Sequence, residues 1–316
     1  MIRPLGRITG TTASAQRGPW AYPSYREFLA QRFPGQHIRK LCLHAGFTCP
    51  NIDGSVSRGG CSYCNNEGFA PQLVSAGNLQ RQWDRGRDAL RRRHRRVHGF
   101  IAYFQSFSGT YASVEQLRQI YDQVPGAFDE CVGMSIGTRP DCVPDPVLAY
   151  CAELSQRLPH FTLEMGLQSD RDEVLRAINR GHDVDCFLDA VARAAAHKIS
   201  LCAHVILGLP HEGDDAPERL GRLLAGLPVQ FIKIHNFHVM AGTPLERAFE
   251  RGVVSAPERA RYVTMAARLI AELRPDQYLQ RVLADAPAHI LRSGAWCHDK
   301  QGVLSDLRQA IEFIDG

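Results

Sequence analysis

The 316-residue sequence contains no apolar run of 18 residues, the length at which a segment could cross a bilayer. Its opening stretch, MIRPLGRITGTTASAQRGPW, carries arginines but no apolar core of the signal-peptide type. We therefore expect no export and no membrane association, with the cytoplasm as the compartment. There, the ten cysteines are expected to be thiols, metal ligands or core residues rather than disulfides.

Lysine is scarce, with four residues against 33 arginines, and the net charge of +4 is unevenly distributed. Residues 81–98 carry eight arginines and two aspartates, a local charge of +6, so the rest of the chain sums to −2. Two interpretations stay open: a solvated helix face in an arginine-rich protein, or a phosphate-binding patch for nucleic acid. The candidate contacts of such a patch are Arg91, Arg92, Arg95 and Arg96.

Strand-like and helix-like segments alternate along the chain, without repeats or low-complexity tracts. This alternation predicts an α/β fold, a partial (β/α)6 TIM-like barrel whose chemistry gathers at the carboxyl ends of its strands. The predicted strands are 38–44, 99–105, 131–137, 160–166, 199–207 and 231–237. The predicted helices between and after them are 79–96, 113–123, 146–157, 170–178, 184–197, 215–226 and 257–272.

Three parts are predicted along the chain. Residues 1–36 form an N-terminal preface with a helix near 24–33, and residues 37–240 form the barrel. Residues 241–316 form a C-terminal α/β extension that packs on the barrel, with a possible strand at 278–283 and a closing helix at 303–314.

Side-chain alternation singles out one acid. In HFTLEMG (160–166), one face of the predicted strand is fully apolar, while Thr162, Glu164 and Gly166 share the other. A carboxylate among small residues near the carboxyl end of a strand is suitably placed to meet a ligand in the barrel mouth. The alternative is a buried acid paired with an arginine.

Cys49, Cys61 and Cys64 follow the first predicted strand with the spacing C-x11-C-x2-C, and no fourth cysteine lies between that strand and the next. Three thiolates can hold three irons of a 4Fe-4S cube and leave the fourth iron open to a substrate. Zinc sites normally close with four ligands, and a histidine such as His44 would then be required. The spacing therefore favours one cluster and an enzyme.

Five further fragments occur in order: GTRPD (137–141), LEMGLQS (163–169), INRGH (178–182), HVILGLPHE (204–212) and IKIHNFHVMAGTPL (232–245). Together with the cysteines they resemble the radical SAM superfamily, and most closely the radical SAM half of the elongator catalytic subunit and its small bacterial relatives. The usual cysteine spacing there is C-x3-C-x2-C, so the long first gap is a departure. His204 and His211 also stand where that family has glycines.

The resemblance implies that Cys49, Cys61 and Cys64 bind one 4Fe-4S cluster, and that S-adenosylmethionine chelates its open iron. An electron from a donor such as flavodoxin or ferredoxin would then yield a 5′-deoxyadenosyl radical. The cofactor supplies the difficult chemistry, and the protein holds and orients it.

The resemblance also implies contacts to S-adenosylmethionine. Glu164 would accept hydrogen bonds from the ribose, Ile206 would pack on adenine, and backbone near His238 would read the adenine edge. Gln168 and Arg180 would reach the methionine end. Ser108, Gly109 and Thr110 stand where many of these proteins have Gly-Gly-Glu, whose backbone contacts the methionine amine. For His235 an ordinary role as a polar core residue is expected.

For the substrate, the resemblance suggests the C5 side chain of a wobble uridine in tRNA. The acetyltransferase domain of the elongator subunit is missing from the sequence, so a uridine already modified by another enzyme is the expected target. Two alternatives remain: a small metabolite such as a tetrapyrrole, as in oxygen-independent coproporphyrinogen oxidase, and a non-catalytic metal-containing protein that binds RNA.

Overall fold

The computed structural model describes residues 22–65 and 78–315 and contains one seven-stranded sheet in which all neighbouring strands are parallel. The strands follow one another in the sheet as they do in the chain. They are β1 (Ile38–Leu43), β2 (Gly99–Phe104), β3 (Cys131–Thr138), β4 (Phe161–Gln168), β5 (Leu201–Leu207), β6 (Phe231–Asn236) and β7 (Tyr278–Arg281). Helices connect the strands, as in a partial (β/α) barrel.

The helices in the described residues run from a short preface helix to a long closing one. They are α1 (Tyr25–Arg32), α2 (Pro50–Asp53), α3 (Leu79–Arg93), α4 (Val114–Tyr121), α5 (Val124–Ala127), α6 (Asp145–Arg157), α7 (Asp172–Ala177), α8 (Val184–Ala196), α9 (Ala216–Gly226), α10 (Pro244–Glu250), α11 (Arg259–Ala271) and α12 (Lys300–Asp315). Two 3₁₀ turns lie at Pro140–Cys142 and Ala295–His298.

The outer face of the sheet packs on the helices through a continuous apolar core. Trp83 of α3 is fully buried, stacks on Phe128 with ring centroids 4.7 Å apart, and meets Phe100 edge-on. A Cβ built at Gly86 would lie 2.9 Å from the side chain of Leu41. The absence of a side chain at this position lets α3 lie directly on β1.

Helix α1 closes the amino ends of the strands. A capping box between Ser24 and Glu27 fixes its first turn. Tyr25 packs edge-on against Phe231, with ring centroids 5.3 Å apart, and its hydroxyl is 2.9 Å from Nε2 of His160. Burial lowers the pKa of His160 to about 3. Tyr25, Phe231 and His160, called the aromatic plug below, therefore stay uncharged at neutral pH. The barrel interior therefore opens toward the carboxyl ends.

The predicted fold class is confirmed, and the six predicted strands have bounds within two residues of those expected. The possible strand at 278–283 occurs as β7, parallel to β6, so the C-terminal extension adds a strand to the sheet. The predicted helix 79–96 ends at Arg93, since His94 adopts an extended backbone. Helices α2, α5 and α10 were not predicted.

The predicted division at residues 36 and 240 stays a prediction, and residues 1–21 of the preface lie outside the described residues. In the described part of the chain, no helix combines the length and the apolar character that crossing a membrane requires.

Candidate functional site

The three predicted cluster ligands line one cavity at the carboxyl ends of the strands. Cys49 directly precedes α2, and Cys61 and Cys64 lie on the loop after it. Cys64 donates its backbone N–H to the carbonyl of Cys61 over 2.9 Å, and Cys61 is 5% exposed. Residues from the ends of β3, β4, β5 and β6 complete the wall. The fold therefore brings the predicted triad together.

The chemistry of this wall suits an iron–sulfur cluster. Burial, and then the neighbouring sulfurs of Cys61 and Cys49, raises the pKa of Cys64 to about 12. In the cluster-free protein Cys64 is therefore a thiol, and the three cysteines would bind iron as thiolates, the ligand form that 4Fe-4S clusters take. Among the described residues no fourth cysteine lines the cavity, so one corner of a cube would be free of protein sulfur.

The cavity wall also holds polar atoms that lack partners. Nε of Arg180, Nε2 of His235 and Nε2 of His238 are buried without a hydrogen bond. Because buried polar groups are normally satisfied, these atoms indicate a polar ligand, and S-adenosylmethionine has the amino, carboxylate, hydroxyl and ring-nitrogen groups to meet them. His235, expected to be an ordinary core residue, therefore belongs to the cavity.

The zinc alternative finds no support. Nδ1 of His44 accepts the N–H of Gly46 over 3.3 Å, and its ring stacks on Phe107. Thiolates on one zinc ion lie roughly 3.8 Å apart. In the described part of the chain, the sulfurs of Cys49, Cys61 and Cys64 do not form a set lying within 4.8 Å of one another. Their spacing is too wide for a single tetrahedral ion.

Two of the sequence fragments meet behind Cys61. Arg139 of GTRPD forms a two-pronged ion pair with Asp141, at 2.8 and 2.6 Å, and donates to the carbonyl of Arg180 over 2.7 Å. Arg180 of INRGH donates to the carbonyl of Gly166 over 2.8 Å and lies 3.5 Å from Sγ of Cys61. The buried guanidinium of Arg139, held by Asp141, thus fixes the backbone that carries the guanidinium of Arg180 to the cysteines.

Gln168, Arg180, Ile206 and His238 all line the cavity, and their contact with S-adenosylmethionine stays a prediction. Gln168 has φ of +76°, and the ladder between β4 and β5 is irregular just before it. This left-handed conformation is uncommon for a residue with a side chain and marks a position held by its surroundings. Nδ1 of His238 is 3.2 Å from the carbonyl oxygen of Asn236, and its Nε2 is buried without a partner.

Of the segment at 108–110, only Ser108 lines the cavity. The N–H of Gly109 donates to the carbonyl of Gly137 over 2.9 Å, and the hydroxyl of Thr110 donates to the carbonyl of Cys142 over 2.6 Å. These groups hold the loop after β2 against β3. The contact of Gly109 and Thr110 with S-adenosylmethionine stays a prediction that the structure does not favour.

Glu164 lies in the barrel interior with no exposed surface. Its Oε1 pairs with Nζ of Lys40 from β1, and its Oε2 pairs with Nζ of Lys233 from β6. Nε2 of His204 is also 3.0 Å from Oε2, and Lys233 donates to the hydroxyl of Tyr103 over 2.8 Å. The inward orientation is confirmed. The surroundings fit the alternative of a buried acid, with two lysines in place of the arginine, and the ribose contact stays a prediction.

Electrostatics within this layer favour a charged Glu164. Burial acts to raise its pKa, but Lys233, Lys40 and His204 outweigh burial and hold the pKa well below its usual range. Burial lowers the pKa of Lys233 to about 8, despite the pull of Glu164. Burial likewise lowers the pKa of His204 to about 4, so its ring is neutral. The interior therefore combines one carboxylate with two ammonium groups.

The two lysines were missed by the sequence reasoning, although a signal was present. The chain has only four lysines, and two of them stand inside predicted strands, in IRKLCL and FIKIHN, each with an apolar residue or cysteine two positions on or two positions before it. A lysine costs free energy inside a barrel unless it is paired, so two such residues imply a buried acid between them.

Glu164, Cys202 and His204 have ligand atoms within 4.8 Å of one another, a spacing that could suit a metal ion. Both carboxylate oxygens are already engaged by Lys40 and Lys233. Burial also raises the pKa of Cys202 well above its usual range, which keeps it a thiol. Two adjacent ammonium groups and a protonated thiol make this a poor cation site.

The predicted basic patch lies at the other end of the barrel from the cysteines. Helix α3 starts near the mouth, where Gln82 bonds the backbone of His44, and ends just before β2 begins. Arg91 is committed to Glu130, which precedes β3, at 2.6 Å. The remaining candidates are exposed and make no ion pair among the described residues: Arg92, Arg95 and Arg96.

The protein is identified as a radical SAM enzyme by its matches to known families. The radical SAM superfamily profile matches residues 55–224, and the radical SAM C-terminal domain matches residues 229–312. More than half of the chain is covered by the first, so the chain belongs to the radical SAM superfamily. Membership implies a 4Fe-4S cluster and S-adenosylmethionine as cofactors, and a reductant as partner.

Several proteins are similar over most of the chain. The Bacillus subtilis (strain 168) protein YtqA is 35% identical over 296 residues, covering 92% of this chain and 89% of that protein. The Escherichia coli (strain K12) protein YhcC is 35% identical over 273 residues, covering 86% of each. The tRNA uridine(34) acetyltransferase of Dehalococcoides mccartyi (strain CBDB1) is 26% identical and covers 68% of this chain, which spans 46% of that protein.

A solved structure shares the fold. It is the archaeal Methanocaldococcus infernus Elp3 with an N-terminal deletion, with a TM-score of 0.67 and 15% identity, covering 89% of this chain and 64% of that one. At this identity the likeness concerns the fold, which agrees with the partial barrel described above.

Replacing Glu164 by Gln should destabilise the cluster-free protein by about 3–5 kcal/mol, since two buried ammonium groups would lose their counter-charge. The free energy of unfolding from urea titration measures this. Glu153→Gln, which breaks an exposed pair with Arg118, is the matched control and should cost about 0–1 kcal/mol. Equal losses in the two variants would contradict the argument.

Proposed function

We propose that this radical SAM enzyme holds one 4Fe-4S cluster on Cys49, Cys61 and Cys64 and modifies the C5 side chain of a wobble uridine in tRNA. The observation that carries the cluster assignment is the cavity wall: three thiols, no fourth cysteine among the described lining residues, and lining side chains whose buried nitrogens have no hydrogen-bond partner. When bound, the cluster and S-adenosylmethionine supply a 5′-deoxyadenosyl radical that removes a hydrogen atom from the substrate.

The protein's own residues hold and orient these groups. Arg180 and Gln168 stand beside the cysteines to receive the methionine end, and Ile206 presents an apolar surface for adenine. Backbone near His238, which also lines the cavity, would read the adenine edge. The aromatic plug formed with α1 closes the amino end of the barrel, so the reacting atoms would be shielded from bulk water on that side.

The similarity to the tRNA uridine(34) acetyltransferase supports a tRNA substrate for this chain. That similarity covers 46% of the relative, so the activity of the whole relative does not carry over. The C5 side chain of a wobble uridine is the proposed target, reached at the barrel mouth after the base leaves its stack.

Helix α3 offers a route for the phosphate backbone. Arg81 and Arg85 are exposed near the mouth, one turn apart, and Arg92 continues the same face toward the far end. In the described part of the chain these three arginines have no ion pair. An RNA that reached both the mouth and the predicted patch would run along this flank.

The decisive experiment is anaerobic reconstitution with iron and sulfide, followed by dithionite and S-adenosylmethionine. Wild-type protein should produce 5′-deoxyadenosine, and Cys61→Ala should produce none, because removing one thiolate leaves too few protein ligands for the cube. Chromatography of the product is the readout. Cys151→Ala, which removes a buried thiol under the barrel helices, is the control and should retain activity. Equal production by Cys61→Ala and wild type would reject the cluster assignment.

The substrate is tested in cells. Strains that lack the gene should show a changed profile of modified uridines in digested tRNA, and wild-type protein should restore the profile where Cys61→Ala does not. Mass spectrometry of nucleosides measures this. A profile that is identical with and without the gene would reject the uridine and leave a small metabolite as the substrate.

The phosphate route is tested by the salt dependence of tRNA binding. The double variant Arg81→Ala, Arg85→Ala should bind more weakly, and each lost phosphate contact should reduce the slope of log K against log salt by about 0.7–0.9. The far-end variant Arg92→Ala, Arg95→Ala, Arg96→Ala should have a smaller effect, and Arg222→Ala on α9 none. Unchanged slopes in both multiple variants would identify α3 as a solvated helix face.

A further inference from the structure

Four consecutive residues after α7 contact the cysteine loop, defined here as residues 49–64. The carbonyl of Ile178 accepts the N–H of Ser62 over 2.9 Å. Asn179, Arg180 and Gly181 make the contacts described below. The segment 178–181 therefore touches the loop along its length, although it lies more than a hundred residues away in sequence.

Asn179 holds the loop between the first two cysteines. Its Nδ2 donates to the carbonyl of Gly60 over 2.8 Å and to that of Arg58 over 3.3 Å, while its Oδ1 accepts the hydroxyl of Ser57 at 2.9 Å. Asn179 has φ of +51°, a conformation that asparagine tolerates better than most residues. Its side chain thereby supplies hydrogen bonds that a regular element would make between backbone groups.

Asn51 connects this segment to a cluster ligand. It is fully buried, and its Nδ2 donates to the carbonyl of Asn179 and lies 3.5 Å from Sγ of Cys61. A Cβ built at Gly181, whose φ is +77°, would lie 2.3 Å from Oδ1 of Asn51. Glycine at this position therefore lets segment 178–181 approach the cysteine loop closely enough for the side-chain amide of Asn51 to lie beside Sγ of Cys61.

We propose that Asn51 and Asn179 are positioning residues for the cluster: Asn179 fixes the cysteine loop, and Asn51 donates an N–H to the Cys61 thiolate and sets the reduction potential. Hydrogen bonds to cluster sulfurs are among the factors that tune this potential. Because such a bond stabilises the extra negative charge of the reduced state more than the oxidised one, it raises the potential. The inference rests on the proposed ligation by the three cysteines.

Asn179 is tested by metal retention. Asn179→Gly keeps the positive φ but removes the three side-chain contacts, and Asn179→Asp keeps Oδ1 for Ser57 but loses both N–H donors. Both should lose iron to a chelator faster, with an affinity lower by about 10–100-fold, the usual effect of removing a partner that orients metal ligands. Ser55→Ala removes an exposed contact of the same loop, the hydroxyl that accepts from Tyr111 over 2.7 Å, and should speed iron loss far less than either Asn179 variant.

Asn51 is tested by the potential of the loaded protein, which a purely structural role would not change. Asn51→Ala should have a more negative midpoint reduction potential than wild type in a spectroscopically monitored redox titration. The control Ser55→Ala should keep the wild-type potential. Asn51→Asp keeps the oxygen but lacks the N–H, and serves as the second variant should Asn51→Ala fail to fold. It should shift the potential in the same direction.

The outcomes distinguish a failure of the proposed cluster from a failure of the roles inferred for Asn51 and Asn179. A wild-type protein that takes up no cluster overturns the proposed function and the inference together. A wild type that loads normally, beside Asn179 variants that retain iron equally well and Asn51 variants with the wild-type potential, overturns the inference alone. Melting temperatures of the cluster-free proteins show whether a loss of iron merely reflects unfolding.

Discussion

The buried carboxylate of Glu164 is the constraint on which the barrel interior depends. It engages Lys40 on β1 and Lys233 on β6, so one side chain on β4 links three strands across the barrel. An apolar layer would fill the same space without the cost of desolvating three charges. The charged layer instead requires the strands to keep one register, because a shift by one residue would turn each partner to the outer face.

The interior consequently has distinct layers. Aromatic residues carried by α1 close the amino end, the ion-paired layer lies above them, and a cavity opens toward the cysteines. Gly137 and Gly166 line this cavity and leave room beside the ion pairs. A Cβ at Gly166 would lie 2.6 Å from Nη2 of Arg180, so the guanidinium reaches Cys61 only because that position is bare. The missing side chain at Gly166 of LEMGLQS thus allows Arg180 to approach a cluster ligand.

The strands and their order could be predicted from the sequence because they depend on local patterns, and the same patterns placed the three cysteines on the loop after the first strand. Side-chain alternation also oriented Glu164 correctly. Its partners could not be derived, since pairing of Lys40 and Lys233 with one acid depends on the register between strands far apart in the chain. The contacts of Asn51 and Asn179 were equally hidden, because they arise where two irregular loops meet. The position of the arginines at the amino end of the barrel could not be derived either, because it depends on the direction in which α3 packs on the sheet.

The long gap between Cys49 and Cys61 now has a physical account. Closing eleven intervening residues rather than three costs only about 1 kcal/mol of additional loop entropy. A single net hydrogen bond contributes about that much, and Asn179 alone makes three with the gap residues. These hydrogen bonds therefore offset the entropy cost of the added length. The added residues also supply the carbonyls and the hydroxyl that Asn179 binds. A three-residue gap would bring the cysteines together by its shortness, whereas here the loop is held by a second segment of the barrel, which makes the geometry of the thiolates depend on the loop after β4.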